Sequence, residues 1–233
     1  MTGIPIARDL THNVEDLSVW RFPVLLSAIA YPQTPSTDIH YRLVMLHGWG
    51  ANAQDLAPLA PLLRLPQAQY LFPNAPLPHP LVAGGLMWYD LNTQEGLETS
   101  RKHLRDWLLS LDGQDNIPLS HTLLAGFSQG GAMTLDVGLS LPVAGLVALS
   151  GYLHPINLAT LPPTLPPILM IHGRQDPVVP LQAALVARDS LIQAGAAVTY
   201  REFEMGHEIP PLVLPILRDF ALQQLQVPTR DQA

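Results

Sequence analysis

The sequence predicts an α/β fold, a mostly parallel central sheet of about seven strands with helices on both faces. Three observations carry that expectation. Short apolar runs alternate with longer segments of helical period, the pattern of repeated strand–helix–strand units. Several of the short runs are almost continuously apolar, as strands covered by helices on both sides must be. One of them, Leu123-Leu124-Ala125, runs through a glycine-flanked serine directly into a segment of helical character.

The expected strands are Val24 to Ala30, Arg42 to Leu46, Gln69 to Phe72, Thr122 to Ala125, Gly145 to Leu149, Ile168 to Ile171 and Val198 to Phe203. The first is expected at an antiparallel edge, and Arg201 and Glu202 leave one side of the last exposed. Leu97, Leu104, Leu108 and Leu111 form the clearest helical stripe and read as core. Further helices are expected from Asp55 to Leu63, Gln129 to Leu139, Leu181 to Ala194 and Pro211 to Leu225, with Gly195 stopping the fourth.

The stretch from Pro73 to Leu91 fits neither period. It carries Pro73, Pro76, Pro78 and Pro80, then Gly84-Gly85, then Leu86-Met87-Trp88-Tyr89. Long irregular loops in compact domains are usually functional, and the aromatic and Met content argues against disorder. The segment reads as a wall of the substrate pocket lined by Leu86, Met87 and Trp88. The alternative is a proline-rich connection whose apolar residues cover the core.

The 233 residues, 48% hydrophobic, suffice for one large domain, and no Gly/Ser tract or charge block divides them. A single domain spanning 1–233 is expected, with 1–40 an N-terminal extension and edge strand, 73–91 a pocket loop and 228–233 a flexible tail. A net charge of −7 leaves no basic footprint for phosphate backbones, so a nucleic-acid partner is not expected. No run approaches the roughly 18 apolar residues that cross a bilayer, so no integral membrane segment is expected. Phe22 to Ala30 resembles a signal-peptide core ending at Ala28-Ile29-Ala30, but Glu15 and Asp16 stand where positive charge belongs. It reads as a strand, and the chain is expected to be cytoplasmic. The absence of cysteine removes disulfides, thiolate metal sites and a Cys nucleophile, so covalent catalysis must use oxygen or nitrogen.

Gly126-Phe127-Ser128-Gln129-Gly130 sits between a strand and a helix. Glycines two before and two after let strand and helix approach without Cβ clashes, while the turn holds Ser128 in a strained, exposed conformation. This is the turn of the α/β-hydrolase fold, and Ser128 is the expected nucleophile. Serine needs a base near neutrality, and histidine is the usual one. His207 is preferred because Met205-Gly206-His207-Glu208 follows the last strand. His47 and His172 also end strands, each followed by glycine; His12, His40, His79, His103, His121 and His154 read as surface or loop residues.

The acid that orients the imidazole is expected at another strand end. Asp176 fits, with Asp136 or Asp90 as substitutes, and the order Ser128, Asp176, His207 is the one this fold uses. The oxyanion needs backbone N–H donors already in place. Gln129 at the amino end of the helix supplies one, and the Leu46-His47-Gly48-Trp49-Gly50 loop is expected to supply the other from Trp49. The Trp49 indole lines the acyl pocket in this reading, or only packs. His47, His172, His207 and Asp176 lack metal-ligand spacing, and no phosphate-binding glycine loop is present. No metal and no cofactor is expected.

From about Arg42 to Phe220 the chain resembles the phospholipase/carboxylesterase family, which includes acyl-protein thioesterases and bacterial carboxylesterases. The resemblance rests on Leu46-His47-Gly48-Trp49-Gly50-Ala51-Asn52 with Asp55, Phe72-Pro73-Asn74-Ala75-Pro76, Trp88-Tyr89-Asp90 and Gly126-Phe127-Ser128-Gln129-Gly130-Gly131-Ala132. It continues through Leu149-Ser150-Gly151, His172-Gly173 with Asp176-Pro177-Val178-Val179-Pro180, and Gly206-His207-Glu208-Ile209. It implies the Ser128, Asp176, His207 triad, the Trp49 and Gln129 oxyanion donors, and small-molecule or acyl esters and thioesters as substrates. The residues ahead of the first motif leave the oligomeric state, including a homodimer, open. Two rival readings stand beside this one: a catalytically silent hydrolase fold used for binding, and a peptidase on the same fold.

Overall fold

The computed structural model describes residues 26–32, 38–155, 157 and 160–226. Its strands are β1 (Ala28–Tyr31), β2 (Tyr41–Leu46), β3 (Ala68–Pro73), β4 (Leu77–Pro78), β5 (Leu86–Met87), β6 (Thr122–Phe127), β7 (Gly145–Leu149), β8 (Ile168–Gly173) and β9 (Val198–Phe203). Seven of them form one sheet in the order β1-β3-β2-β6-β7-β8-β9. β1 runs antiparallel to β3, Ala28 opposite Pro73, and every other neighbouring pair is parallel. The expected α/β architecture and its antiparallel edge are therefore observed. The edge strand is Ala28–Tyr31 where Val24 to Ala30 is expected; Val24 and Leu25 fall outside the described residues, as does the 228–233 tail.

The strands alternate two cores through one sheet. Val44, Leu46, Leu124, Leu146, Ala148, Ile168 and Met170 face one side, against Leu104 and Leu108 of α3 (Leu97–Ser110) and Met133 and Leu135 of α4 (Gln129–Gly138). Leu191 of α5 (Leu181–Gln193) joins that side. Leu43, Met45, Leu123, Ala125, Val147, Leu149, Leu169 and Ile171 face the other, against the short helices α1 (Ala53–Leu56) and α2 (Ala60–Leu63) and against α6 (Leu214–Gln224). Both residue parities are apolar because both faces are covered, which is why these strands read as continuous runs. In β9 Thr199 and Arg201 are exposed while Val198, Tyr200, Glu202 and Phe203 are half-buried, so one side of the last strand is open as expected.

Two helices are shorter than their apolar patterns. Asp55 to Leu63 is broken into α1, a 3-10 turn over Ala57–Leu59, and α2, because Pro58 and Pro61 have no N–H to continue a ladder. The first piece begins early because Asn52 caps it: Asn52 Oδ1 accepts from the Gln54 N–H at 2.8 Å, and Asp55 Oδ2 accepts from the Asn52 N–H at 2.8 Å. At the other end of the chain, Pro211–Val213 is a 3-10 turn leading into α6. Gly195 takes a φ of 88° just beyond α5, the left-handed conformation that ends a helix.

The stretch from Pro73 to Leu91 is not wholly irregular. Leu77 pairs with Met87 and Pro78 with Leu86 in a two-stranded antiparallel ladder, β4 with β5. That hairpin folds back over the loop that follows β2.

Candidate active site

Parallel strands bring their carboxyl ends to one edge, and the candidate residues collect there. Ser128 follows β6 directly, with φ 55° and ψ −119°, a conformation L side chains rarely adopt. The turn is tight enough that a Cβ on Gly130 would stand 2.2 Å from the Leu46 carbonyl oxygen, and one on Gly126 would stand 2.2 Å from the Gly130 oxygen. Only glycine permits α4 to start this close to the sheet. The Ser128 N–H donates to the Leu149 carbonyl at 2.8 Å, which ties the turn to the end of β7.

His207, on the loop after β9, places Nε2 2.9 Å from Ser128 Oγ and Nδ1 2.8 Å from Asp176 Oδ2. Asp176 follows β8, and its side chain is fully buried. Its other oxygen accepts the Val178 and Val179 N–H groups at 2.9 and 2.8 Å. Burial pushes the Asp176 carboxyl up, but His207 and these two N–H donors together outweigh it and hold the acid below the usual carboxylate range. An ionised Asp176 accepts from Nδ1–H, which leaves Nε2 free to accept the serine proton. Phe127 lies against the imidazole with ring centroids 4.7 Å apart.

The substitute acids are engaged elsewhere. Asp136 accepts from Arg101 at 2.8 Å and from His154 Nδ1 at 2.7 Å, and Asp90 closes its own turn on the Asn92 and Thr93 N–H groups at 2.9 and 2.8 Å. His154 and His79, expected as surface or loop residues, lie in loops and are buried. His172 donates from Nε2 to the Val179 carbonyl at 2.9 Å. Among the described residues no group of three His, Asp or Glu side chains could hold a metal ion.

Trp49 lies in the loop after β2, and Gln129 opens α4 beside Ser128, where the first helical N–H groups have no intrahelical acceptor. The Gln129 side chain is spent on structure: Oε1 accepts the Trp88 N–H at 2.9 Å and Nε2 donates to the Tyr89 carbonyl at 2.7 Å.

A cavity of about 810 Å³ opens at Ser128. Its walls are Trp49, Leu91, Tyr152, Leu153, Val178, Val179, Pro180, Gln182, Ala183 and Val186, with Ser128, Gln129 and His207 also lining it. No lining residue apart from His207 is ionisable except Tyr152, whose phenol burial keeps protonated and which meets the Tyr89 hydroxyl.

Three expected wall residues are not there. Trp88 is completely buried in the core, and Leu86 and Met87 are held in the β4–β5 ladder; none lines this cavity. Of the expected lining only Trp49 faces it, its ring packed on His79 with centroids 4.0 Å apart. The residues that replace them lie just past strand ends, Tyr152-Leu153 after β7 and Val178-Val179-Pro180 after β8. The apolar pair Val178-Val179, separated from the candidate acid by Pro177 alone, is the sequence signal for them.

A doubly covered parallel sheet with a strained serine at a strand-to-helix turn defines the class, an α/β-hydrolase. Within that class the chain belongs to the phospholipase/carboxylesterase family, whose pattern it matches over residues 27–224, and it is an esterase-type hydrolase. It is 30% identical to acyl-protein thioesterase 1 of Neurospora crassa over 231 residues, 88% of this chain and 92% of the relative. It superposes on esterase PE8 with a TM-score of 0.75 at 30% identity, covering 86% of this chain and 99% of that one. The carboxylesterase of Bacillus cereus shares the fold, with a TM-score of 0.71 at 17% identity, 86% of this chain and 95% of that one. No helix among the described residues is long and apolar enough to cross a membrane.

Proposed function

We propose that this protein hydrolyses carboxylic esters or thioesters of uncharged, predominantly apolar acyl groups through a Ser128–His207–Asp176 triad and an acyl-enzyme. The observation that carries the reading is the unbroken hydrogen-bonded line from Ser128 Oγ through His207 to the buried Asp176. Ser128 Oγ attacks the carbonyl carbon as its proton passes to His207 Nε2. The carbonyl oxygen becomes an oxyanion held by the Trp49 and Gln129 N–H groups. Collapse expels the alcohol or thiol, protonated by His207. Water then attacks the acyl carbon, His207 takes its proton and returns it to Ser128, and the carboxylic acid leaves.

The apolar cavity supports an uncharged acyl chain as the group that is bound, since burying an ionic head against Leu91, Val178, Val179 and Val186 would strip it of water without a partner. The likeness to a fungal acyl-protein thioesterase supports including thioesters. A fluorophosphonate probe and a chromogenic ester test the reading together. Covalent labelling that disappears in Ser128→Ala, with turnover falling by several orders of magnitude, is expected. Wild-type turnover in Ser128→Ala would sink it.

A further inference from the structure

We propose that His47 and Trp88 are positioning residues that aim the Trp49 N–H, and that the Gln129 side chain ties this device to the second oxyanion donor. The proposal rests on reading Trp49 and Gln129 as the oxyanion donors.

The argument starts from one peptide unit. In a planar trans peptide the C=O and the N–H point in opposite directions, so fixing one end fixes the other. The unit that carries the Trp49 N–H ends in the Gly48 carbonyl, which lies 2.8 Å from His47 Nδ1. The Ala75 N–H donates to His47 Nε2 at 3.0 Å, so that nitrogen is an acceptor and the proton sits on Nδ1, where it donates to Gly48. Burial lowers the His47 pKa more than the Gly48 carbonyl and Asp55 raise it, which favours this neutral form.

The next peptide unit back is held as well. The Trp88 indole N–H donates to the His47 carbonyl at 2.9 Å, and the two rings lie 5.7 Å apart. Trp88 is in turn fixed along its own backbone: its N–H by Gln129 Oε1, its carbonyl by the Ser100 hydroxyl, and the following carbonyl, of Tyr89, by Gln129 Nε2. On the far side of Trp49, the Gly50 N–H donates to the Leu86 carbonyl at 2.8 Å and the Leu86 N–H to the Ala51 carbonyl at 2.8 Å.

The loop after β2 and the start of α4 are remote in sequence, yet an oxyanion needs both donors within a few tenths of an ångström of their working places. Gln129 supplies one donor from its main chain and grips, through its side chain, the tryptophan that steadies the other. The hairpin stretch thus acts as a splint on the oxyanion loop. A tryptophan present only to fill space would work equally well without its N–H.

Trp88→Phe removes that N–H and keeps an aromatic ring; site-specific replacement of Trp88 by benzothienylalanine removes it at constant size and serves if the Phe protein folds poorly. Each is compared with wild type for kcat, KM and labelling by a fluorophosphonate, on protein shown folded by its thermal transition. The expected result is kcat lower by about tenfold or more with KM within about twofold, since a full donor is worth 10²–10³-fold. The labelling rate should fall in parallel, because phosphonylation also places a negative oxygen in the hole. His47→Leu, which deletes the Nδ1–H donor to the Gly48 carbonyl, should show the same split. Unchanged kcat and labelling in folded protein lacking the indole N–H would overturn the proposal while leaving Ser128 as nucleophile. Labelling and turnover that survive Ser128→Ala would instead overturn the underlying reading, and this proposal with it.

Discussion

His154 Nδ1 lies 2.7 Å from the carboxylate of Asp136, and Arg101 reaches the same oxygen at 2.8 Å. The Asp136 side chain is completely buried on α4, only two turns beyond Ser128, yet none of this trio lines the cavity. Two buried aspartates with histidine partners therefore have different work. Asp136→Asn breaks a buried charge cluster and is expected to lower stability by about 3 kcal/mol while the folded fraction keeps its kcat. Asp176→Asn is expected to lower kcat by about 10⁴-fold. Denaturant unfolding and steady-state kinetics on both proteins separate the two roles.

The lowered Asp176 pKa makes a pH prediction with a definite sign. A carboxyl whose folded pKa lies below its unfolded value of about 3.9 stabilises the fold fully above that value. The contribution disappears as pH falls through the lower folded pKa. The stability difference between wild type and Asp176→Asn should thus shrink as pH falls below about pH 4. A difference that kept growing below about pH 4 would contradict the shift.

Ser128 carries backbone strain with its φ of 55°, and strain of this kind costs of order 1–3 kcal/mol. Ser128→Gly should abolish turnover and raise the melting temperature by roughly 2–4 °C, about 1 kcal/mol for a chain of this size. Gly130→Ala should do the reverse to stability, because its new Cβ meets the Leu46 and His47 carbonyl oxygens at 2.2 and 2.6 Å and neither belongs to a flexible side chain. A loss on the order of 3 kcal/mol is expected. Calorimetry of the two variants checks both signs.

Ala183, on the first turn of α5, faces the cavity. Ala183→Phe should fill part of it, lowering kcat/KM for long acyl chains by about tenfold or more and for acetyl esters by about twofold at most, the range one pocket contact spans. Trp88→Ala should behave differently, destabilising the protein by about 3–5 kcal/mol and depressing all chain lengths alike, since it empties the core. A panel of esters with one leaving group reads out the difference.

Much of this was legible in the chain by itself. Apolar runs such as Leu43-Val44-Met45-Leu46 and Ile168-Leu169-Met170-Ile171 announced strands covered on both faces, and Gly126 and Gly130 announced the turn at Ser128, because sterics at a tight junction act locally and leave their mark in neighbouring residues. Asp176 and His207 were picked out because each closely follows a strand, and parallel strands share one carboxyl edge. Contacts across the chain left no such mark. Only the tertiary structure decided that Trp88 turns into the core to meet His47, that Asp136 belongs to His154, and that Tyr152 and Ala183 rather than Leu86 and Met87 line the cavity at Ser128. Those choices depend on which side chain finds a buried hydrogen-bond partner from a distant element, a balance of packing and desolvation that residue order alone does not encode locally.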